Sequence, residues 1–178
     1  IARIEDYKGH MDILQAVKNI VDTGRKIKLI IAGSGSYERE VKDRIKELGL
    51  ENNVVFMGFV SDVASILSII DLQLNASWGT ETSSLSILEG FSMGIPAVVS
   101  DYGGNPCLVE DGVNGLIFKR RDPDDLTRCI LKIMDSEELL DEMGKKALEV
   151  YKAKFTGEIF ASNIEKIYVK TLKGVKNG

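Results

Sequence analysis

Glu81 and Glu89, separated by seven residues in the stretch Ser77–Gly104 (SWGTETSSLSILEGFSMGIPAVVSDYGG), are the residues best placed to do chemistry. Glu81 falls in a polar loop beside Gly79, and Glu89 on a segment that reads as a helix opening at Ser83 or Ser84. A helix that starts in a loop of small residues leaves several backbone N–H groups unpaired at its positive dipole end, a ready seat for a phosphate. Carboxylates on either side of such a seat are poor phosphate ligands but good acceptors for hydroxyl groups. A sugar nucleotide carries hydroxyls on both sides of its diphosphate, so the layout points to a nucleotide-sugar site.

The spacing needs its context, because a chain with 14 Glu contains pairs at this separation by chance. The context here is a Gly-Ile-Pro turn, an apolar AVVS strand and a Tyr-Gly-Gly loop, in that order after Glu89. From a helix start near Ser84, a rise of about 1.5 Å per residue carries Glu89 roughly 7.5 Å along the axis, a fair reach from phosphate to ribose. The backbone N–H groups of Ser84, Leu85 and Ser86 are the candidate phosphate donors. Leu85, Leu88 and Phe91 around Glu89 predict a helix largely covered by protein, where an unpaired acid is costly. A solvated helix position is the alternative for Glu89.

A diphosphate also calls for cations. Arg3 and Lys8 flank a loop after the first strand residues, and Arg supplies directional donors that Lys lacks; two solvated surface charges are the other reading. Gly33-Ser34-Gly35 follows a strand and precedes a helix, but the third glycine of a dinucleotide fingerprint would fall on Glu38, so the pattern is incomplete. Phe59 and Val60 end another strand, and core packing is one reading of Phe59.

Strand and helix signals alternate around these residues. Met11–Val21 carries apolar residues at helical spacing, while Ile27–Gly33 is a continuous β-branched run that fits a strand buried on both faces. Tyr37–Leu48 is helical and stops at Gly49. VVFMG, LQLNAS, AVVS and GLIF read as strands, with helices near Asp62–Ile70 and Ser84–Met93 between them. Asp124–Met134 places Leu126, Cys129, Ile130, Ile133 and Met134 on one face, and helices near Glu137–Lys154 and Gly157–Leu172 follow. The alternation predicts an α/β fold, a Rossmann-like parallel sheet sandwiched by helices, with ligands at the carboxyl ends of its strands. The loops after four of the strands carry the candidates to that rim.

With 178 residues the chain reads as a single domain, large enough for a core without disulfides or metals. Its net charge of −4 and interspersed charges exclude a nucleic-acid partner, and Lys119–Arg121 is too short a basic run to change that. No apolar run reaches bilayer length. The first residue is Ile, almost on top of a motif, as in a piece of a longer protein. Cys107 and Cys129 form no metal pattern and read as reduced thiols.

The paired Glu with their Gly-x-Pro turn, strand and Gly-Gly loop resemble the C-terminal domain of the family 4 (group 1) glycosyltransferases, which have the GT-B fold. The likeness extends to RIEDYKGH, IIAGSG, VVFMGFV and DGVNGLIF and covers essentially the whole chain. It implies the donor-binding half of a retaining, metal-independent enzyme, with a nucleoside-diphosphate sugar of the UDP or GDP type as substrate and no cofactor. In that pattern Arg3 and Lys8 hold the diphosphate, Glu81 orients the donor sugar, Glu89 binds the ribose, and the backbone at Phe59 and Val60 meets the base. The resemblance further implies a missing N-terminal acceptor domain, bacterial polysaccharide or cell-envelope glycan synthesis, and a cytoplasmic enzyme with peripheral association at the inner face of the membrane. Ala2 stands where the family has Gly, Ser83 where it often has an aromatic residue, and Cys107 where it usually has Glu. A nucleotide-dependent oxidoreductase domain, a sugar-nucleotide epimerase and a non-catalytic module are the rival classes. The DxD spelling at Asp122–Asp124 reads as a helix cap, and His10, the only histidine, as structural.

Overall fold

In the computed structural model, which describes residues 1–175, strands and helices alternate as the apolar periodicity predicts. β1 (Leu29–Ala32) pairs in parallel with β2 (Val54–Gly58). β3 (Gln73–Asn75), β4 (Ala97–Ser100) and β5 (Gly115–Phe118) form a second parallel ladder with β4 at its centre. The N-terminal residues touch both ladders. Ala2 N–H donates to the Ala32 carbonyl (3.1 Å) and Ile4 N–H to that of Ser34 (2.9 Å), while Trp78 N–H donates to the Tyr7 carbonyl (2.9 Å). Because one segment meets the trailing ends of β1 and β3, the two ladders turn their carboxyl ends to one rim.

Among the described residues eight α-helices accompany the strands: α1 (His10–Asp22), α2 (Glu38–Glu47), α3 (Val63–Leu67), α4 (Leu85–Ser92), α5 (Asn105–Leu108), α6 (Pro123–Met134), α7 (Glu137–Lys154) and α8 (Gly157–Val175), the last packed on α7. β4 shows why both faces are needed, since its four residues are all buried and alternate between two clusters. Val98 packs with Leu14 and Val17 of α1 and Leu126 and Ile130 of α6. Ala97 and Val99 pack with Ile87 and Phe91 of α4 and Ala147 of α7. A strand buried on both sides requires this unbroken apolar run, and each fully buried large side chain contributes about 1.5–3 kcal/mol.

Polar residues set the helix ends. Asp122 caps α6 by accepting the Asp125 N–H (3.0 Å), and Ser136 caps α7 through Leu139 N–H (3.1 Å). The DxD spelling is therefore a capping device. Three expectations are corrected. Met134 is 37% exposed instead of sharing the buried face of α6. β2 is the second strand of a two-stranded ladder, which leaves Val55 and Met57 nearly half exposed, and β1 is fully buried only at Ile31 and Ala32. α3 is five residues long, shorter than its apolar spacing implies. On α8, every described side chain from Asn163 to Leu172 is exposed, including Ile167, Tyr168 and Leu172.

Candidate functional site

Glu81 sits where three chain segments converge on the rim. Its Oε2 accepts from Lys8 Nζ (2.9 Å), Ser77 Oγ (3.0 Å) and Asn75 Nδ2 (3.3 Å). Its side chain is 7% exposed and that of Lys8 15%, so the ion pair is largely withdrawn from water. Burial pushes the Glu81 carboxyl upward, but the Lys8 ammonium and the Asn75 and Ser77 bonds outweigh it and hold the carboxyl below its ordinary value of 4.5. Glu81 is thus a fixed carboxylate with one oxygen fully engaged.

Close backbone contacts place these groups. Lys8 ends a 3-10 turn (Asp6–Lys8), and the next residue, Gly9, has φ 71° and begins α1. A Cβ at Gly9 would lie 2.1 Å from the Ala76 carbonyl oxygen, so only glycine lets Lys8 approach the end of β3. On the other side the Gly103-Gly104 loop after β4 supports the Glu81 loop. Gly104 N–H donates to the Glu81 carbonyl (3.0 Å), and a Cβ at Gly104 would stand 1.9 Å from the Thr82 carbonyl oxygen. Beneath them Ser100 Oγ donates to the Ser77 carbonyl (2.5 Å), and Asn105 Nδ2 donates to Ser100 Oγ (3.0 Å).

α4 begins at Leu85 with Ser84 as its extended N-cap residue. Among the described residues no protein acceptor takes the N–H groups of Ser84, Leu85 and Ser86, which leaves the positive end of the helix beside the Glu81–Lys8 pair. Glu89 lies one turn further on and is exposed. The expected cover over that turn is absent on one side, for Leu85 is 70% exposed while Phe91 is fully buried.

Arg3 is exposed and donates to the Tyr7 hydroxyl (3.1 Å), and Lys8 Nζ lies 5.7 Å from the centre of the Tyr7 ring. The structure therefore brings Lys8, Glu81 and the α4 start together, with Arg3 held beside them through Tyr7. Phe59, at the end of β2, is 79% exposed, which removes the core-packing alternative for it. Val60 is half-buried. Gly33 N–H donates to the Gly58 carbonyl (2.7 Å), tying the Gly33–Gly35 turn to that same edge.

His10 is buried, and its Nδ1 has no partner among the described residues. Burial drives its pKa down to about 4, with the Ile1 ammonium and Lys8 adding to the effect against a contact with the Glu5 backbone. It is a neutral core group. Among the described residues no set of three or more His, Cys, Asp or Glu side chains is placed to hold a metal, and no helix is long and apolar enough to cross a membrane. Burial raises the thiol pKa of Cys129 above its usual value, and Cys107 is exposed on α5. Sequence reasoning missed Tyr7, Asn75 and Ser77. The available signal was slight, Asn75 and Ser77 alternating with Leu74 and Ala76 at the end of the LQLNAS strand.

The comparisons with known proteins bear on the family and the fold. The family profile described as "Glycosyl transferases group 1" matches residues 1–150. N-acetyl-alpha-D-glucosaminyl L-malate synthase of Bacillus anthracis is 30% identical over 178 residues, covering 100% of the chain but 46% of that relative. The chain thus spans about half the length of the curated relatives it matches. Anabaena HepE, solved in complex with UDP, superposes with a TM-score of 0.85 at 24% identity over 98% of this chain and 47% of its own. A solved C-terminal domain of a group 1 protein (LpcC) from Francisella tularensis superposes at 0.80 with 18% identity, covering 88% of this chain and 84% of that domain. The sandwiched parallel strands are those of a GT-B C-terminal half, and the chain belongs to the group 1 glycosyltransferases.

Proposed function

We propose that residues 1–178 form the donor-binding domain of a retaining, metal-independent glycosyltransferase whose donor is a nucleoside-diphosphate sugar of the UDP or GDP type. The observation that carries this is the Lys8–Glu81 pair, 2.9 Å across, set beside the unpaired N–H groups that open α4. A cation, a carboxylate and a helix N-terminus in one place suit a phosphate joined to a sugar. Lys8 and Arg3 offset the negative charge that grows on the departing diphosphate, an effect largest where water is excluded. The N–H groups of Ser84, Leu85 and Ser86 hold phosphate oxygens, Glu81 takes sugar hydroxyls, and Glu89 takes those of the ribose. Phe59 and Val60 border the base.

A uridine nucleotide is supported by the relative solved with UDP. An N-terminal acceptor domain is supported by the share of each relative left uncovered. The proposed setting is bacterial polysaccharide or cell-envelope glycan synthesis in the cytoplasm, at the inner face of the membrane. A poly(glycerol-phosphate) alpha-glucosyltransferase of Bacillus subtilis is among the relatives. Calorimetry and thermal shift with UDP, GDP and their sugars, alongside NAD(H), test the donor class. Saturable binding of a nucleoside diphosphate is expected. Binding of NAD(H) alone would overturn the proposal in favour of an oxidoreductase domain.

A further inference from the structure

Asn75 ties together two groups with different tasks in this site. Its Nδ2 donates to Glu81 Oε2 (3.3 Å) and to Ser84 Oγ (3.1 Å), and its Oδ1 accepts the Ser77 N–H (3.0 Å). The orientation of the amide is fixed by that last bond, because a backbone N–H can only donate and so must face the oxygen. Both hydrogens of the amide nitrogen are then spent, one on each partner. Ser84 Oγ accepts from Asn75 and shares a hydrogen bond with Ser86 Oγ, 3.1 Å away, in which either hydroxyl can donate. Of the two hydroxyl hydrogens one is spent on that bond, and among the described residues no other protein group takes the second. The run from Ser77 N–H through Asn75 thus leaves the Ser84–Ser86 hydroxyl pair with one free donor at the positive end of α4. Within the same arrangement Glu81 Oε2 is saturated, and Oε1 is the oxygen left for a ligand.

We propose that Asn75 is a positioning residue for the nucleotide-sugar donor: it holds Glu81 and Ser84 in one fixed relation and, by donating to Ser84, sets the Ser84–Ser86 hydroxyl pair to donate to a diphosphate oxygen. The inference rests on the donor-binding function proposed above and goes beyond it by assigning side-chain hydroxyls, in addition to backbone N–H groups, to the diphosphate. A relay of this polarity accepts an anion and disfavours any ligand that presents a donor to the start of α4.

The test uses the 178-residue chain with Asn75→Leu, which keeps the size and removes the bonds, with Ser86→Ala, and with the double variant. Affinities for UDP and GDP are measured by calorimetry, and those for uridine and guanosine by ligand-observed NMR. Ser86 is half-buried, so Ser86→Ala is expected to melt like the parent. It is expected to lose roughly tenfold in affinity for the bound nucleoside diphosphate and little for the free nucleoside, as for loss of a hydrogen bond to a charged group. Asn75→Leu is expected to lose more, and the double variant no more than Asn75→Leu alone, since a relay cut at its source has no second bond to lose. A purely structural role for Asn75 would move all ligands alike and leave the Ser86 effect additive. Unchanged nucleoside-diphosphate affinity in Ser86→Ala, or additive losses in the double variant, overturns the inference while leaving the donor-binding proposal intact. Failure of the parent chain to bind either UDP or GDP overturns both.

Discussion

Lys8 Nζ and Glu81 Oε2 lie 2.9 Å apart although 73 positions separate them in the chain. The pair joins the N-terminal segment to the loop after β3, so the cation proposed to face a diphosphate also orients the carboxylate proposed to face a sugar. Lys8 has three N–H donors and uses one here, which leaves it able to bridge Glu81 and a phosphate oxygen together.

Removing one partner of this pair should cost stability as well as binding. Lys8→Met leaves a carboxylate that is 7% exposed without its cation, and a loss of about 1–3 kcal/mol is expected in denaturant unfolding. Glu81→Gln in the same chain should recover part of it, because the amide carries no charge to strand. Since the Glu81 carboxyl is held below its ordinary 4.5, the pair stabilises the fold fully above that pH and loses its contribution as pH falls through the lower folded value. Additive losses in Lys8→Met and the double variant would show that the two residues are not coupled.

Glu89 offers the cleaner separation of binding from folding, being exposed on α4. Glu89→Gln keeps the shape and should leave the melting temperature unchanged, while nucleotide binding weakens by about 1–3 kcal/mol through loss of charge-assisted bonds to ribose. Equal UDP and GDP affinities in variant and parent would take Glu89 out of the site.

His10 makes the stability of the chain sensitive to mild acid. The unfolded chain takes up a proton near pH 6.5, whereas folded His10 stays neutral down to about pH 4. Between those values acidification favours the unfolded state by about 1.4 kcal/mol per pH unit, roughly 3 kcal/mol in all. His10→Leu should flatten this part of the pH–stability curve. A parent and a variant with parallel curves from pH 6.5 to 4 would show that the imidazole is solvated after all.

Trp78, the only tryptophan, should report on the site. It is half-buried three positions before Glu81, and the Arg121 guanidinium sits 5.0 Å from its ring centre. Donor binding that shifts the Glu81 loop changes this contact, so emission should change in a saturable way with the calorimetric midpoint. Binding without any change in emission would place the ligand away from this loop.

What the sequence showed and what it hid differ in physical kind. α7 was legible to its end residues because Ser136 caps it and its apolar spacing runs unbroken, two local signals that agree. β4 was legible as a short apolar strand, AVVS, whereas the order of the strands around it emerged only with the fold. The partners of Glu81 were hidden. Lys8 comes from a distant segment, and Asn75 and Ser77 read as ordinary loop-prone residues until the fold turns them toward one oxygen. Glu89 shows the complementary limit, since spacing assigns Leu85 and Phe91 to faces of a helix without saying which face a neighbour covers.

The chain on its own is expected to bind donor and not to transfer sugar. In the proposed function its strands supply one wall of a cleft, with the Glu81–Lys8 pair at the rim, and the reaction needs a second wall to present the acceptor and exclude water. Holding two reactants in register can contribute roughly 7–11 kcal/mol toward lowering a barrier, and a single wall provides little of it. α8 fits this picture, for Phe160, Ile167, Tyr168 and Leu172 are each at least 60% exposed and form an apolar surface that no group among the described residues covers. The check is an assay of the 178-residue chain with UDP- and GDP-sugars and a panel of acceptors, beside a full-length relative such as N-acetyl-alpha-D-glucosaminyl L-malate synthase of Bacillus anthracis. Donor binding without transfer by the chain is the expected outcome. Transfer at a rate near that of the full-length enzyme would mean that residues 1–178 hold the acceptor themselves, and the two-domain assignment would have to be given up.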